Sequence, residues 1–173
     1  QASLTGHLVF STLHTNDAPG AATRLVDMGV EPYLVSSSVE MVVAQRLVRV
    51  ICSGCKAQLP ADDVSLAREE FGELVPDVLY HGRGCRQCQG TGYRGRTGIF
   101  ELMPVSDELR SLIMQRAPAP DIRKVAAREG MASLRSDGWR VIREGRSTVD
   151  EVIRATKDEV GALTPVPQER GDR

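Results

Sequence analysis

The stretch "HLVFSTLHTND", residues 7–17, combines a short apolar run with the start signal of a helix. Its first part, residues 8–13, is mostly apolar and is bounded by His7 and His14. Such a run is typical of a strand that is buried on both faces of a parallel sheet. The stretch therefore predicts an α/β fold in which a buried strand leads directly into a helix.

The residues that follow predict two helices and a second strand. Asn16 or Asp17 can cap the first helix, Pro19 suits its first turn, and Gly29 is a stop signal. Pro32 opens a second helix that we predict to run through "SSSVEMVV", and residues 45–51, "QRLVRVI", predict a strand. Residues 1–51 are therefore expected to form the end of an α/β sheet.

All four cysteines belong to two C-x-x-C pairs. The pairs are Cys52 with Cys55 and Cys85 with Cys88. Four thiolates match the ligand number of a closed tetrahedral zinc site, and neighbouring glycines permit the tight turns required. The long intervening loop is no obstacle, because loop-closure entropy costs only roughly 0.6 kcal/mol per doubling of length. We predict a structural metal site; four unligated thiols, or a disulfide or thioredoxin-like pair, are the alternatives.

Composition limits the possible classes of protein. The chain has 173 residues, 41% of them hydrophobic, 4% aromatic, and a formal net charge of −1. Near-neutral charge and few aromatic residues argue against nucleic-acid binding. No apolar stretch approaches the roughly 18 residues of a membrane span, and no signal peptide is visible. The sequence begins "QASLTGH" without methionine, so we expect a cytosolic piece of a longer protein.

The second half of the chain predicts a series of helices with clear boundaries. Ser106 can cap one helix, Pro120 can open another that Gly130 closes, and Ser133 can cap a third. Thr148 and Glu151 form a T-x-x-E capping box for a last helix. The domains we predict are 1–51 (sheet), 52–103 (cysteine module and following strand), 104–159 (helical region) and 160–173 (disordered tail).

Several motifs together resemble one family. "TGHLVFSTLHTNDAPGAATRL", "AQRLVR", the two cysteine pairs and "GYRGRTGIFELMPV" resemble the secretion ATPases of bacterial type II secretion and type IV pilus assembly. The resemblance covers residues 1 to about 159 and is nearest to the type II secretion ATPases, with the pilus extension ATPases as the alternative. It disfavours the pilus retraction ATPases, which are expected to lack the cysteine module.

The resemblance implies the C-terminal part of a RecA-like P-loop ATPase core, with an inserted zinc module and a C-terminal helical region. It implies ATP and Mg²⁺ as cofactors, Zn²⁺ as a structural ion, and a homo-hexamer. It also implies a cytoplasmic location at the inner membrane, where the ring meets the secretion platform proteins. The G-x-x-x-x-G-K-[ST] loop and the acidic boxes of the family do not occur here, so we expect them upstream of Gln1. Without them this piece alone is predicted not to hydrolyse ATP.

The resemblance also points to nucleotide-site residues. His7 and His14 match the family's histidine box, and about 23 Å separates them if the chain is extended at roughly 3.3 Å per residue. Ligands bind at the carboxyl ends of strands in open sheets, which favours His14 as the catalytic γ-phosphate contact. His7 is then a second nucleotide-binding candidate or a subunit contact. Arg96 is the predicted adenine contact, although Arg94 and Arg96 could instead offset zinc–thiolate charge.

Two further patterns have structural interpretations. Trp139 and the neighbouring apolar residues Leu134, Val141 and Ile142 predict a helix–helix core. The set Arg123, Lys124 and Arg128 predicts one solvated helix face.

A rival class is a zinc-stabilised binding module with no ATPase role. The segment "CRQCQGTG" matches a zinc repeat of J-domain co-chaperones, but "CSGCKAQL" lacks the glycines of that repeat. A zinc-ribbon nucleic-acid binder is disfavoured by the charge and the low aromatic content.

Overall fold

The computed structural model describes residues 3–157, which form seven α-helices, four strands and short 3₁₀ turns. The helices are α1 Ala18–Asp27, α2 Pro32–Ser38, α3 Ala61–Phe71, α4 Asp107–Met114, α5 Ala119–Arg128, α6 Leu134–Arg143 and α7 Val149–Ala155. The strands are β1 Met41–Ile51, β2 Lys56–Gln58, β3 Tyr80–Gly82 and β4 Tyr93–Pro104. The predicted tail, 160–173, lies outside the described residues.

The described residues divide into two compact units. The first unit comprises 3–45 and 100–133, and the second comprises 46–99 and 134–157. The chain passes from one unit to the other within β1 and within β4. No helix among residues 3–157 is long and apolar enough to span a membrane.

The predicted strand at 8–14 is wrong for this structure. Residues 7–15 have no regular secondary structure, and the side chains of Leu8 and Phe10 are 82% and 87% exposed. A parallel strand needs neighbouring strands on its edges and cover on its faces. Neither is provided by the part of the chain that the structure describes, so the apolar run remains extended and exposed.

The helix that follows is confirmed, and its start has the expected cap. The Asp17 carboxylate accepts a 2.6 Å hydrogen bond from the Gly20 backbone N–H, Pro19 lies in the first turn, and Gly29 adopts a positive φ of 89°. The cap satisfies one of the backbone donors that a helix start leaves without an intrahelical partner.

The second helix is shorter than predicted, and β1 is longer. α2 ends at Ser38, where the serine hydroxyls bond back to the Tyr33 carbonyl, as Ser37 Oγ does at 2.6 Å. Such bonds compete with helix propagation. From Met41 onward, burial alternates residue by residue, so "MVVA" belongs to the strand and not to the helix.

The first unit packs its helices around the end of β4. Met103, Val105, Leu109 and Ile122 are buried in this core together with residues of α1 and α2. The Ser106 hydroxyl accepts from the Leu109 N–H at 3.2 Å, which confirms the predicted cap of α4.

The second unit contains the cysteine segments. β2 pairs with β3 in an antiparallel hairpin whose register sets Lys56 opposite Gly82 and Gln58 opposite Tyr80. Trp139 of α6 is 2% exposed, and its ring centroid lies 5.6 Å from that of Phe71. The apolar stripe on α6 is thus a packed core, as its spacing predicted.

β1 and β4 form a two-stranded sheet. The Val105 N–H donates to the Glu40 carbonyl just before β1, and the Cys52 N–H donates to the Gly92 carbonyl just before β4. These bonds join the start of each strand to the end of the other, so the pairing is antiparallel. The strands therefore lead into and out of the cysteine segments.

Candidate metal centre and nucleotide-site residues

The structure brings the four cysteine sulfurs together in one cluster. The Sγ–Sγ distances are 3.9 Å for Cys52–Cys85, 3.8 Å for Cys55–Cys88 and 3.7 Å for Cys85–Cys88, and all four atoms lie within 4.8 Å of one another. A tetrahedron with Zn–S bonds of about 2.3 Å requires sulfurs separated by roughly 3.8 Å. The four thiols therefore have the arrangement and the donor chemistry that a structural zinc ion needs.

Local backbone geometry produces this arrangement. The Cys55 N–H donates to the Cys52 carbonyl at 3.1 Å, which closes a tight turn at the first pair. The second pair lies on a 3₁₀ turn, Arg86–Cys88. Each turn presents two sulfurs to the same side.

A close approach of two backbone segments fixes the distance between the turns. A Cβ atom at Gly82 would lie 2.0 Å from the Gly92 carbonyl oxygen, and Gly92 itself has a φ of 77°. Any side chain at Gly82 would push the segments apart, so only glycine fits.

Hydrogen bonds differentiate the thiols. Burial raises the pKa of Cys55 to about 12, helped by the bonds among the thiols. Burial also opposes ionisation of Cys88, but the backbone N–H groups of Cys85 and Gly92, at 3.2 and 3.3 Å from its sulfur, lower its pKa to about 6. Because thiolates are the metal-binding form, cation binding would release protons from this cluster.

A polar network connects β1 and β4, the strands on either side of the cysteine cluster, to the segment before α7. The Arg49 guanidinium on β1 lies 4.1 Å from the ring centroid of Tyr93 at the start of β4. The Tyr93 hydroxyl is 2.9 Å from the Thr148 hydroxyl, and the Ser147 hydroxyl donates to the Arg49 carbonyl at 2.9 Å. The segment that leads into α7 therefore supports the base of the cysteine module.

The centre of this network is the buried carboxylate of Glu151, which is 1% exposed. It accepts from the guanidinium of Arg49 at 2.6 Å, from the Arg49 backbone N–H at 3.0 Å and from Arg154 at 2.9 Å. The predicted capping box is only half formed. The Glu151 N–H donates to the Thr148 hydroxyl, but the Glu151 carboxylate turns to the arginines.

Stability should depend on this carboxylate at acid pH. Burial alone would raise the pKa of Glu151, but the hydrogen bonds from Arg49 and Arg154 lower it to about 2. The ionised Glu151 carboxylate therefore stabilises the folded state by up to roughly 3 kcal/mol. This contribution is fully present above about pH 4.5 and is lost as the pH falls toward 2. We expect Glu151→Gln to flatten the pH dependence of unfolding between these values in urea titrations. Asp150→Asn, an exposed neighbour, is the control; an equal flattening there would contradict the assignment.

A second buried carboxylate, Glu101 on β4, was missed by the sequence analysis. Glu101 is fully buried and accepts from the Ala18 N–H at 2.8 Å, at the start of α1. Arg123 on α5 lies 2.6 Å from the Asp17 carboxylate and 3.5 Å from that of Glu101. The strand alternation offered a signal, because Glu101 shares the face of the buried residues Ile99 and Met103.

The prediction of one solvated face on α5 is therefore wrong for Arg123. The side chains of Lys124 and Arg128 are 77% and 63% exposed, as predicted, but that of Arg123 is 24% exposed and bridges two carboxylates. Successive side chains on an α-helix are rotated by about 100°. Arg123 therefore points toward the start of α1, while the side chains of Lys124 and Arg128 face solvent.

The predicted nucleotide-site residues are all exposed. His7 lies in the first unit, with its Nδ1 atom 3.0 Å from the Thr5 hydroxyl. His14 is exposed, three residues before the cap of α1, and its side chain has no hydrogen-bond partner within residues 3–157. Arg94 and Arg96 belong to the second unit and lie on the exposed face of β4. Their nucleotide roles remain predictions.

Comparison with known proteins defines the class. The Type II/IV secretion system protein family matches residues 1–154, and the chain belongs to that family. It is 52% identical over 159 residues to type II secretion system protein E of Pseudomonas aeruginosa, covering 92% of this chain and 32% of the relative. It is 45% identical over 158 residues to the type IV pilus assembly ATPase PilB of Myxococcus xanthus, covering 88% of this chain and 28% of the relative. The chain thus spans about a third of the length of these relatives.

A solved structure shows the fold. The pilus retraction motor PilT with bound ADP matches with a TM-score of 0.54 and 19% identity, covering 88% of this chain and 33% of that one. The predicted α/β fold class is therefore confirmed, and the four cysteines lie together in one cluster.

Proposed function

We propose that this chain is the C-terminal portion of a hexameric ATPase that powers protein export through type II secretion. The observation that supports this most strongly is the 52% identity to a type II secretion system protein E over nearly the whole chain. A pilus extension ATPase is the second candidate, favoured by the 45% identity to PilB.

Within this proposal the residues divide between catalysis and support. His14 contacts the γ-phosphate, because its exposed imidazole can donate to a phosphate oxygen and so distinguish ATP from ADP. Arg96 contacts adenine through its planar guanidinium, and His7 contacts the nucleotide or a neighbouring subunit. The four cysteines hold a zinc ion that stabilises the module without taking part in hydrolysis. Segments of the full-length protein outside this chain bind Mg²⁺ and make the other phosphate contacts, and the ring docks on inner-membrane platform proteins.

An exposed apolar surface in the first unit supports the proposal that this chain is part of a larger ATPase core. Met41 and Val43 on β1 and Leu102 on β4 are 51%, 52% and 51% exposed, on the face opposite the buried residues. Together with the exposed run at 8–14, this surface has the character of a sheet face that packs against other core elements.

His14→Ala in the full-length protein tests the function. We expect ATP turnover to fall roughly 10- to 100-fold, which corresponds to losing about 1.4–2.7 kcal/mol of transition-state stabilisation. His81→Ala, the third histidine of the chain, is the matched control and should retain turnover. Unchanged ATP turnover in His14→Ala with intact zinc content would show that His14 does not contact the γ-phosphate during hydrolysis. A full-length protein without ATPase activity would refute the proposed function and favour a zinc-stabilised binding module.

A further inference from the structure

The start of α1 is held by two carboxylates from distant parts of the chain. The Asp17 carboxylate caps the helix through the Gly20 N–H at 2.6 Å, and the Glu101 carboxylate on β4 accepts from the Ala18 N–H at 2.8 Å. Each carboxylate thus satisfies one of the backbone donors that a helix start leaves without an intrahelical partner. Both negative charges also lie at the positive end of the helix dipole, which favours them.

A single guanidinium joins these two carboxylates. Arg123 on α5 places its Nη2 atom 2.6 Å from Asp17 Oδ2 and its Nη1 atom 3.5 Å from Glu101 Oε2. The other oxygen of each carboxylate takes the backbone N–H. The planar fork of arginine can engage two acceptors at once, whereas a lysine ammonium is a point charge. We call these three side chains the Arg123 bridge.

The Arg123 bridge contains more than a helix cap requires. Asp17 alone supplies the cap, yet the Glu101 carboxylate is fully buried and the Arg123 side chain is only 24% exposed. Burying charges is costly, and well-packed apolar residues of similar volume are often equally stable in their place. The bridge is therefore better suited to fixing a position than to adding stability. It sets where Asp17 lies relative to β4 and α5.

The segment immediately before the cap carries His14. The Thr15 hydroxyl donates to the Asp17 carbonyl at 3.2 Å, so the chain between His14 and the cap is tied to Asp17. Three residues of chain span at most about 11 Å. Residues 7–15 have no regular secondary structure, and α1 is the first helix after His14. A shift of Asp17 is therefore passed directly to His14.

We infer that Arg123 is a positioning residue for the phosphate contact. Through Asp17 it holds the segment that carries His14 where the imidazole meets the γ-phosphate, and it does so without touching the nucleotide itself. Placement matters at this scale, because a displacement of about 1 Å can reduce a rate by as much as roughly 100-fold. This role rests on the proposed function, since it acts through the γ-phosphate contact of His14.

Asp17→Asn in the full-length protein separates the bridge from the cap. Asparagine keeps an oxygen for the Gly20 N–H and caps helices as well as aspartate does, but it carries no charge to pair with Arg123. We expect ATP turnover, and the affinity for a non-hydrolysable ATP analogue, each to fall roughly three- to tenfold. The affinity for ADP should stay unchanged, because only the γ-phosphate contact is displaced. A merely structural role would weaken the binding of both nucleotides together or of neither.

Arg123→Lys provides a second variant that keeps a positive charge beside the buried Glu101. One ammonium cannot engage both carboxylates as the guanidinium fork does, so this variant should show the same loss for the ATP analogue and the same unchanged affinity for ADP. Its melting temperature reports whether the protein is still folded. Asp121→Asn, which breaks the exposed pair with Lys124 on the same helix, is the charge-matched control and should leave turnover and both affinities unchanged.

A double-mutant cycle with His14→Ala decides whether the bridge acts through His14. In the His14→Ala background, Asp17→Asn should reduce turnover by less than about twofold, since the contact that it positions is already absent. Losses that multiply would overturn the positioning role and leave the proposed function standing. So would unchanged turnover and affinities in Asp17→Asn, or full turnover in His14→Ala. A full-length protein with no ATPase activity would overturn both.

Discussion

Replacing Cys85 with serine is expected to abolish zinc binding and to unfold the cysteine module. Three of the sulfur pairs lie 3.7–3.9 Å apart, as a closed tetrahedral zinc site requires. Three thiolates and a neutral hydroxyl do not supply the four thiolate ligands of that site. Structural zinc contributes about 10–16 kcal/mol in small zinc-finger peptides, so its loss outweighs the marginal stability of a short hairpin and two turns. The expected metal content falls from one zinc per chain to none by elemental analysis.

The Cys85→Ser variant is expected to lose structure in the second unit only. Amide hydrogen exchange should accelerate at β2 and β3, while the core of α4 and α5, which belongs to the other unit, should keep its protection. Ser53→Ala, an exposed non-ligand within the first pair, serves as the matched control and should retain one zinc. A Cys85→Ser protein that still contains stoichiometric zinc would show that the cluster is not the metal site.

Replacing Arg123 with alanine is expected to destabilise the first unit by about 3 kcal/mol. The change leaves the fully buried Glu101 carboxylate without its guanidinium and removes the partner of the Asp17 cap. Removing one member of a buried ion pair costs far more than losing a surface pair, because the remaining charge stays desolvated. Exchange of the α1 amides should therefore accelerate roughly 100-fold.

Lys124 provides the comparison for Arg123. It is adjacent on α5, has the same charge, and is 77% exposed in a pair with Asp121. Lys124→Ala should change stability by no more than about 0.5 kcal/mol, since exposed pairs contribute little. Equal effects of the two substitutions would mean that Arg123 is solvated after all.

Local signals in the sequence predicted the parts of the fold that depend on neighbouring residues alone. Asp17 before a proline, Ser106 before "DEL" and glycines after helices marked helix ends that the structure reproduces. The cysteine spacing predicted the metal cluster because two C-x-x-C turns have few other uses. These features need only a turn of chain to form.

Predictions failed where the decisive partner lies far along the chain. The apolar run at 8–14 has strand character, yet it forms no strand without neighbours to pair with. The Glu151 carboxylate does not make the expected capping bond at the start of α7. It binds instead to Arg49, which lies 102 residues earlier in the chain. A charged hydrogen bond in a buried setting is stronger than a local capping bond, and no local pattern reveals it.

The sequence by itself determined the family, the caps of α1 and α4 and the four-cysteine cluster, because each rests on residues a few positions apart or on a motif of fixed spacing. Only the tertiary structure decided which charges are buried. Arg123 and Lys124 are adjacent and chemically alike in the sequence, but the packing of α5 beside the start of α1 places one over Glu101 and Asp17 and leaves the other in water. Burial is a property of the whole fold, and it sets whether a charge contributes almost nothing to stability or several kilocalories per mole.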